Sequence, residues 1–212
     1  YRMQTYYVTF PAKKQAKLEK FELSTALQNN QVLIKGDYSL ISAGTELANY
    51  LQLPNTVTAE NSFPFHPGYS SSGTVIKTGP AVDTFAIGDR VVVPWHGHRS
   101  AYICSEDNIF KVPDGITQQE AAFAHISSFS FLGIRKLQIQ IGEACVIAGL
   151  GLLGIIAVQI ALLSGACPLI CCDPSEERRK LAIKLGADYA LDPTKDAFLK
   201  KIKEITGGKG PE

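Results

Sequence analysis

Charge of one sign is what this sequence has least of: 21 Lys and Arg stand against 20 Asp and Glu, a formal charge of +1. With no basic excess there is no mark of a nucleic-acid partner, and with no acidic tail none of a charged one. The five cysteines form no CxxC pair, and most lie in apolar runs, where cysteine acts as a small hydrophobe. No stretch resembles a signal peptide, so a reducing cytoplasm is the expected compartment. Internal repeats and low-complexity tracts are missing too. What is left is an ordinary globular composition, 45% hydrophobic over 212 residues, enough for one or two domains.

One run lacks charge along its whole length. Residues 144–163 contain no Asp, Glu, Lys or Arg and are long enough to cross a bilayer. Their order argues against a membrane span: β-branched residues come first (Val146, Ile147), then glycines, then helix formers, and the uncharged stretch continues through Gly165 and Pro168 to Cys172. A strand buried on both faces of a parallel sheet reads the same way.

The segment Ala144-Cys-Val-Ile-Ala-Gly-Leu-Gly-Leu-Leu-Gly154 is therefore read as strand, tight turn and helix. Gly149 permits the turn, Gly151 lets the backbone approach a diphosphate with no Cβ in the way, and Gly154 lets helix and strand pack closely. The amides of Gly149, Leu150, Gly151, Leu152, Leu153 and Gly154, at the positive end of a helix, are the candidate phosphate cradle. Such a turn alone is a weak signal. Here a second apolar strand follows, Leu169-Ile-Cys-Cys172, ending in Asp173, about 20 positions beyond the last glycine, where an acid for the adenosine ribose is expected. The plainer alternative is a βαβ crossover that binds nothing.

The expected fold class is α/β. Residues 1–117 read as a β-rich, barrel-like domain with short strands at Gln31-Val-Leu-Ile-Lys35, Gly73-Thr-Val-Ile-Lys77, Asp89-Arg-Val-Val-Val93 and Ala101-Tyr-Ile-Cys104. Residues 118–212 read as the first half of a doubly wound parallel sheet. A helix is expected over 118–136, and another over 175–185 with Leu181 and Leu185 on its inner face and Gly186 as its stop. A third strand over 189–191 and a third helix over 196–205 follow, and the lysines of 195–209 form the wet face of that amphipathic helix.

Together these features resemble the medium-chain dehydrogenase/reductase family, of the alcohol dehydrogenase type. The landmarks are Ser42-Ala-Gly-Thr-Glu46, His66-Pro-Gly-Tyr-Ser-Ser-Ser-Gly73, Phe85-Ala-Ile-Gly-Asp-Arg-Val-Val-Val93, Val112-Pro-Asp-Gly115, Glu120-Ala-Ala122, the glycine turn and Leu185-Gly-Ala-Asp188. The resemblance implies a GroES-like domain interrupted by a Rossmann domain. It also implies a return segment and a second sheet half, both lacking here, so a fragment truncated at its C-terminus and inactive by itself is expected. The opening Tyr1 in place of methionine reads as a short N-terminal trim.

Zinc members of the family carry a cysteine where this chain has Ala43 and Gly-His-Glu where it has Gly68-Tyr69-Ser70. A catalytic zinc needs three protein ligands, so no metal is expected. His96 and His98, two apart, would share a face on a strand and could share an ion; the alternative is loop histidines on a partly exposed connection. Glu46 takes the position of an acid that supports the zinc shell, or is here only a helix N-terminal charge. Without zinc, the implied catalytic candidates are Thr45, at the family's proton-relaying hydroxyl, Tyr69, whose phenol replaces a ligand histidine, and His66 beside it. Tyr69 as an aromatic space-filler and Thr45 as a turn or cap hydroxyl are the competing readings.

Asp173 would accept both ribose hydroxyls and repel a 2′-phosphate, so NAD is the expected cofactor. Arg178 matches a basic family position at the same ribose, or belongs with Arg179 and Lys180 to a solvated helix face. The resemblance implies an NAD-linked alcohol or polyol dehydrogenase working on a small alcohol or carbonyl, with no nucleic-acid or membrane partner and a possible homo-oligomeric state. A zinc-free quinone or enone reductase and a non-catalytic dinucleotide-binding protein are the alternatives.

Overall fold

β-Branched runs separated by turn residues build the first of two units, Tyr1–His125; the second is Ile126–Glu212. The computed structural model describes residues 1–60, 62–195 and 197–211. In the first unit, β1 (Arg2–Thr9) and β2 (Lys17–Ser24) form an antiparallel hairpin. Then come β3 (Gln31–Ser39), α1 (Ala43–Tyr50), β4 (Ser70–Thr78), β5 (Arg90–Pro94), β6 (Ala101–Ser105) and β7 (Phe110–Lys111). These five strands make an antiparallel sheet of order β6-β3-β4-β5-β7. The alternating inward residues Val32, Ile34, Val75, Val91 and Val93 are fully buried. Each contributes roughly 1.5–3 kcal/mol by leaving water.

Residues 118–136 are not one helix. A capping box between Thr117 and Glu120 starts α2 (Gln118–Ala121), and α3 (Ala124–Leu137) follows after a turn. The carbonyl of Ala122 accepts the Ser70 hydroxyl at 2.6 Å and that of Gln118 accepts the Ser72 hydroxyl at 2.6 Å. Buried serines of β4 thus draw these carbonyls to the sheet, and the Phe123 N–H turns back to Glu120 O at 2.9 Å to close α2 early.

The second unit alternates strand and helix: β8 (Cys145–Ala148), α4 (Leu152–Leu163), β9 (Leu169–Cys172), α5 (Glu176–Lys184), β10 (Tyr189–Leu191) and α6 (Phe198–Ile205). Its strands are parallel, in the order β10-β9-β8, as in the first half of a dinucleotide-binding sheet. The uncharged run therefore divides into strand, turn and helix, and among the described residues no helix is long and apolar enough to cross a membrane. On α5 the inner face is led by Ala182, fully buried, while Leu181 is 42% exposed; Leu185 packs on the core beside it. Ala182 belongs to the second unit's apolar core, so that flank of α5, and not Leu181, faces inward. Of the expected third helix, Asp196 lies outside the described residues, and Ile202 is its buried member.

Candidate functional site

The glycine turn joins β8 to α4, and its three glycines meet three different demands. Gly149 has φ +84°, a conformation side chains rarely adopt. A Cβ on Gly154 would collide with the Gly149 carbonyl oxygen, so α4 sits against the turn only because residue 154 lacks one. A Cβ on Gly151 would meet nothing within 4 Å, and its φ of −69° suits any residue. Space at Gly151 is open, as a cradle for a diphosphate requires. Gly151 caps α4 without a side-chain hydrogen bond, which leaves the positive helix end uncompensated by any cap.

Asp173 follows β9 and is 4% exposed. Its Oδ2 accepts the Leu150 N–H at 2.8 Å, and its Oδ1 accepts the Ser175 N–H at 2.8 Å. Arg178 approaches Oδ2 at 3.5 Å. Those two amides, Leu150 first, hold the carboxyl below the usual aspartate range, and Arg178 adds to the effect. Arg178 therefore pairs with the acid itself. Arg179, which entered the sequence reading only in the alternative of a solvated face shared with Arg178 and Lys180, donates to the carbonyls of Asp173 and Pro174 at 2.6 and 2.8 Å and approaches Asp192 at 3.7 Å. It clamps the turn that carries the acid. A carboxylate has about four acceptor positions, so two amides leave room for sugar hydroxyls.

The other candidates belong to the first unit. Thr45 is an exposed residue of α1 whose hydroxyl accepts from Ser42 Oγ at 3.4 Å. Tyr69 stacks on Trp95, ring centres 5.6 Å apart, and meets His125 edge-on at 6.0 Å; Trp95 and His125 meet at 4.7 Å. Burial pushes the His125 imidazole below its ordinary range. Trp95 is 66% exposed at φ +62°, a backbone conformation that costs a bulky residue energy and clusters at functional sites. His66 is exposed and lies edge-on to Tyr7 at 5.1 Å, away from this aromatic group.

His96 and His98 do not act as a pair. Both lie in the β5–β6 connection; His96 Nδ1 donates to Pro94 O at 2.6 Å. His98 is buried, contrary to the partly exposed placement expected, and bonds Glu46 at 3.0 Å and Ser39 at 2.8 Å. Glu46 is thus more than a helix-end charge. Sequence reasoning missed Trp95, Arg179 and the His98–Glu46 contact. The only available signal was a histidine beside a glycine-rich landmark.

Ala43 offers no donor side chain, and the Tyr69 ring stacks on Trp95. Among the described residues no three His, Cys, Asp or Glu side chains are grouped to hold a metal.

Residues 28–130 match the alcohol dehydrogenase GroES-like domain and residues 153–212 the zinc-binding dehydrogenase model. The chain is similar to (R,R)-butanediol dehydrogenase of Bacillus subtilis, 28% identical over 78% of this chain and 57% of that protein. It is 32% identical to L-threonine 3-dehydrogenase of Pyrococcus furiosus, over 68% of this chain and 49% of that protein. The chain thus spans about half the length of these curated relatives. A crystal structure of an Escherichia coli oxidoreductase/dehydrogenase of unknown specificity superposes with a TM-score of 0.88 at 19% identity, covering 99% of this chain and 69% of that one. Two domain matches in the expected order, on a glycine turn and an acid-tipped second strand, lead to one conclusion: the chain belongs to the medium-chain dehydrogenase/reductase family.

Proposed function

We propose that this chain is the barrel and cofactor-binding part of an NAD(H)-dependent oxidoreductase that interconverts an alcohol or polyol and its carbonyl without a catalytic zinc. The observation that carries the reading is the open turn at Gly151 with an anionic, nearly buried Asp173 bonded to its middle residue. Amides of the turn bind the diphosphate, and Asp173 takes the ribose hydroxyls and disfavours a 2′-phosphate. When bound, the nicotinamide supplies hydride transfer. The relatives' names, a butanediol and a threonine dehydrogenase, favour an alcohol substrate. Tyr69 and Thr45 hold the substrate oxygen and pass its proton, taking the part a metal plays elsewhere. His66, exposed to water, is the remaining candidate for proton exchange with solvent.

Titrating NADH and NADPH against the full-length gene product by fluorescence, then screening alcohols and carbonyls, tests the proposal. Saturable binding favouring NADH, with turnover of an alcohol, is expected. Failure to bind either dinucleotide would refute it.

A further inference from the structure

We propose that Ser39 is an activated nucleophile: with His98 and Glu46 it forms a hydroxyl–imidazole–carboxylate relay that takes acyl groups from small activated esters. All three residues lie in the first unit, and the proposed reaction uses no dinucleotide.

Ser39 ends β3, Glu46 lies in the first turn of α1 and His98 in the β5–β6 connection. Ser39 is exposed, whereas Glu46 and His98 are each 8% exposed. The Ser39 hydroxyl lies 2.8 Å from His98 Nδ1, and His98 Nε2 lies 3.0 Å from Glu46 Oε2. Each buried member is also fixed from outside the relay. Glu46 Oε1 accepts the Ser42 N–H at 2.9 Å. His98 donates its N–H to Pro67 O at 2.9 Å, and its carbonyl accepts the Val8 N–H at 3.0 Å. Gly68 makes room for the imidazole, since a Cβ there would lie 2.7–2.8 Å from the His98 main-chain nitrogen and ring atoms.

These contacts assign the protons. A carboxylate at Glu46 only accepts, so Nε2 carries the imidazole hydrogen, and Nδ1 is left as the acceptor for the Ser39 O–H. The ring nitrogens stand in the reverse order from the serine proteases, but such a relay is defined by roles and geometry. A buried carboxylate behind the imidazole stabilises the imidazolium that forms when Nδ1 takes a proton.

In the proposed step, Ser39 Oγ bonds to the ester carbonyl carbon while its proton moves to His98 Nδ1. The bond from that carbon to the leaving oxygen breaks, and Nδ1 returns the proton to the leaving group. Water then gives one proton to Nδ1 as its oxygen bonds to the acyl carbon; the bond from that carbon to Ser39 Oγ breaks, the carboxylic acid leaves, and Nδ1 returns the proton to Oγ. The next amide, Leu40 N–H, is committed to Ser70 O at 2.9 Å. An oxyanion donor is worth roughly 10²–10³-fold in rate, so the substrate class is esters with good leaving groups.

The test uses p-nitrophenyl acetate on the intact protein. A burst of nitrophenolate near one equivalent per chain is expected, with one acetyl group mapped by mass spectrometry to Ser39. Ser39→Ala, at an exposed position, should retain the thermal midpoint and lose the burst; His98→Gln should slow it about 10²-fold or more. Acetylation confined to lysines, or a burst that survives Ser39→Ala, overturns the proposal. Should His98→Gln not fold, the Ser39→Ala result decides alone.

Discussion

The main-chain N–H of Leu150, in the middle of the glycine turn, donates to Asp173 Oδ2 at 2.8 Å across 23 positions of sequence. One contact thus sets the height of the turn and the orientation of the acid together. The glycine turn and Asp173, the proposed phosphate cradle and sugar acid, are parts of one hydrogen-bonded unit, so a change at either should be felt at the other.

Asp173→Ser removes a charged acceptor that sugar hydroxyls would use. Hydrogen bonds to charged groups contribute about 1.5–3 kcal/mol, so NADH affinity should fall at least about tenfold. NADPH, relieved of a repelling carboxylate, should lose less. Paired fluorescence titrations measure the ratio; an unchanged ratio would mean Asp173 does not choose the cofactor.

Glycines 151 and 154 should separate binding from folding. Alanine at 154 drives a methyl into the Gly149 carbonyl, and overpacking of this kind costs about 1–3 kcal/mol or more. Alanine at 151 meets nothing within 4 Å and should change stability by less than about 0.5 kcal/mol. Its methyl occupies the proposed diphosphate space, so NADH affinity should drop sharply while the thermal midpoint holds.

These contrasts also show what a sequence can carry. Gly149 and Gly154 answer local backbone demands, so spacing alone exposes them. The bond from Leu150 to Asp173 spans 23 positions and that from His98 to Glu46 spans 52; no periodicity encodes either. The β1–β2 hairpin is equally hidden, because β2 interleaves charged and apolar residues without an apolar run. On α5, the four-residue spacing of Leu181 and Leu185 marks a helix but does not say which flank meets the core.

Ala182 and Leu181 supply the check on that correction. Ala182→Leu forces a larger side chain into a fully buried position and should destabilise the second unit by about 1–3 kcal/mol. Leu181→Ala, at an exposed site, should cost under about 1 kcal/mol. Chemical denaturation of both variants orders them; the reverse order would restore Leu181 as the inner residue.

Acid should loosen the second unit through Asp173. Its folded pKa lies below the ordinary value of 3.8, chiefly through the Leu150 and Ser175 amides, so the unfolded chain binds the proton more readily. The stabilisation is fully present above about pH 4 and is lost as pH falls through the depressed folded value. Asp173→Asn should flatten this part of the stability profile below pH 4. An unaltered acid limb in that variant would assign the loss to another carboxylate of the unit, such as Asp192, which is also held low.

Tyr69 distinguishes a proton-handling phenol from an aromatic filler. Tyr69→Phe keeps the ring that stacks on Trp95 at 5.6 Å and meets His125 at 6.0 Å, and removes only the hydroxyl. Loss of a positioned acid–base group costs about 10²–10⁴-fold, so kcat of the full-length enzyme should fall within that range while thermal stability is kept. The filler reading predicts the opposite pattern: Tyr69→Phe turns over normally, and only Tyr69→Ala, which empties the stack, loses both stability and rate. Turnover and melting measured on both variants decide between them, and normal turnover by Tyr69→Phe would transfer the proton-handling role to Thr45.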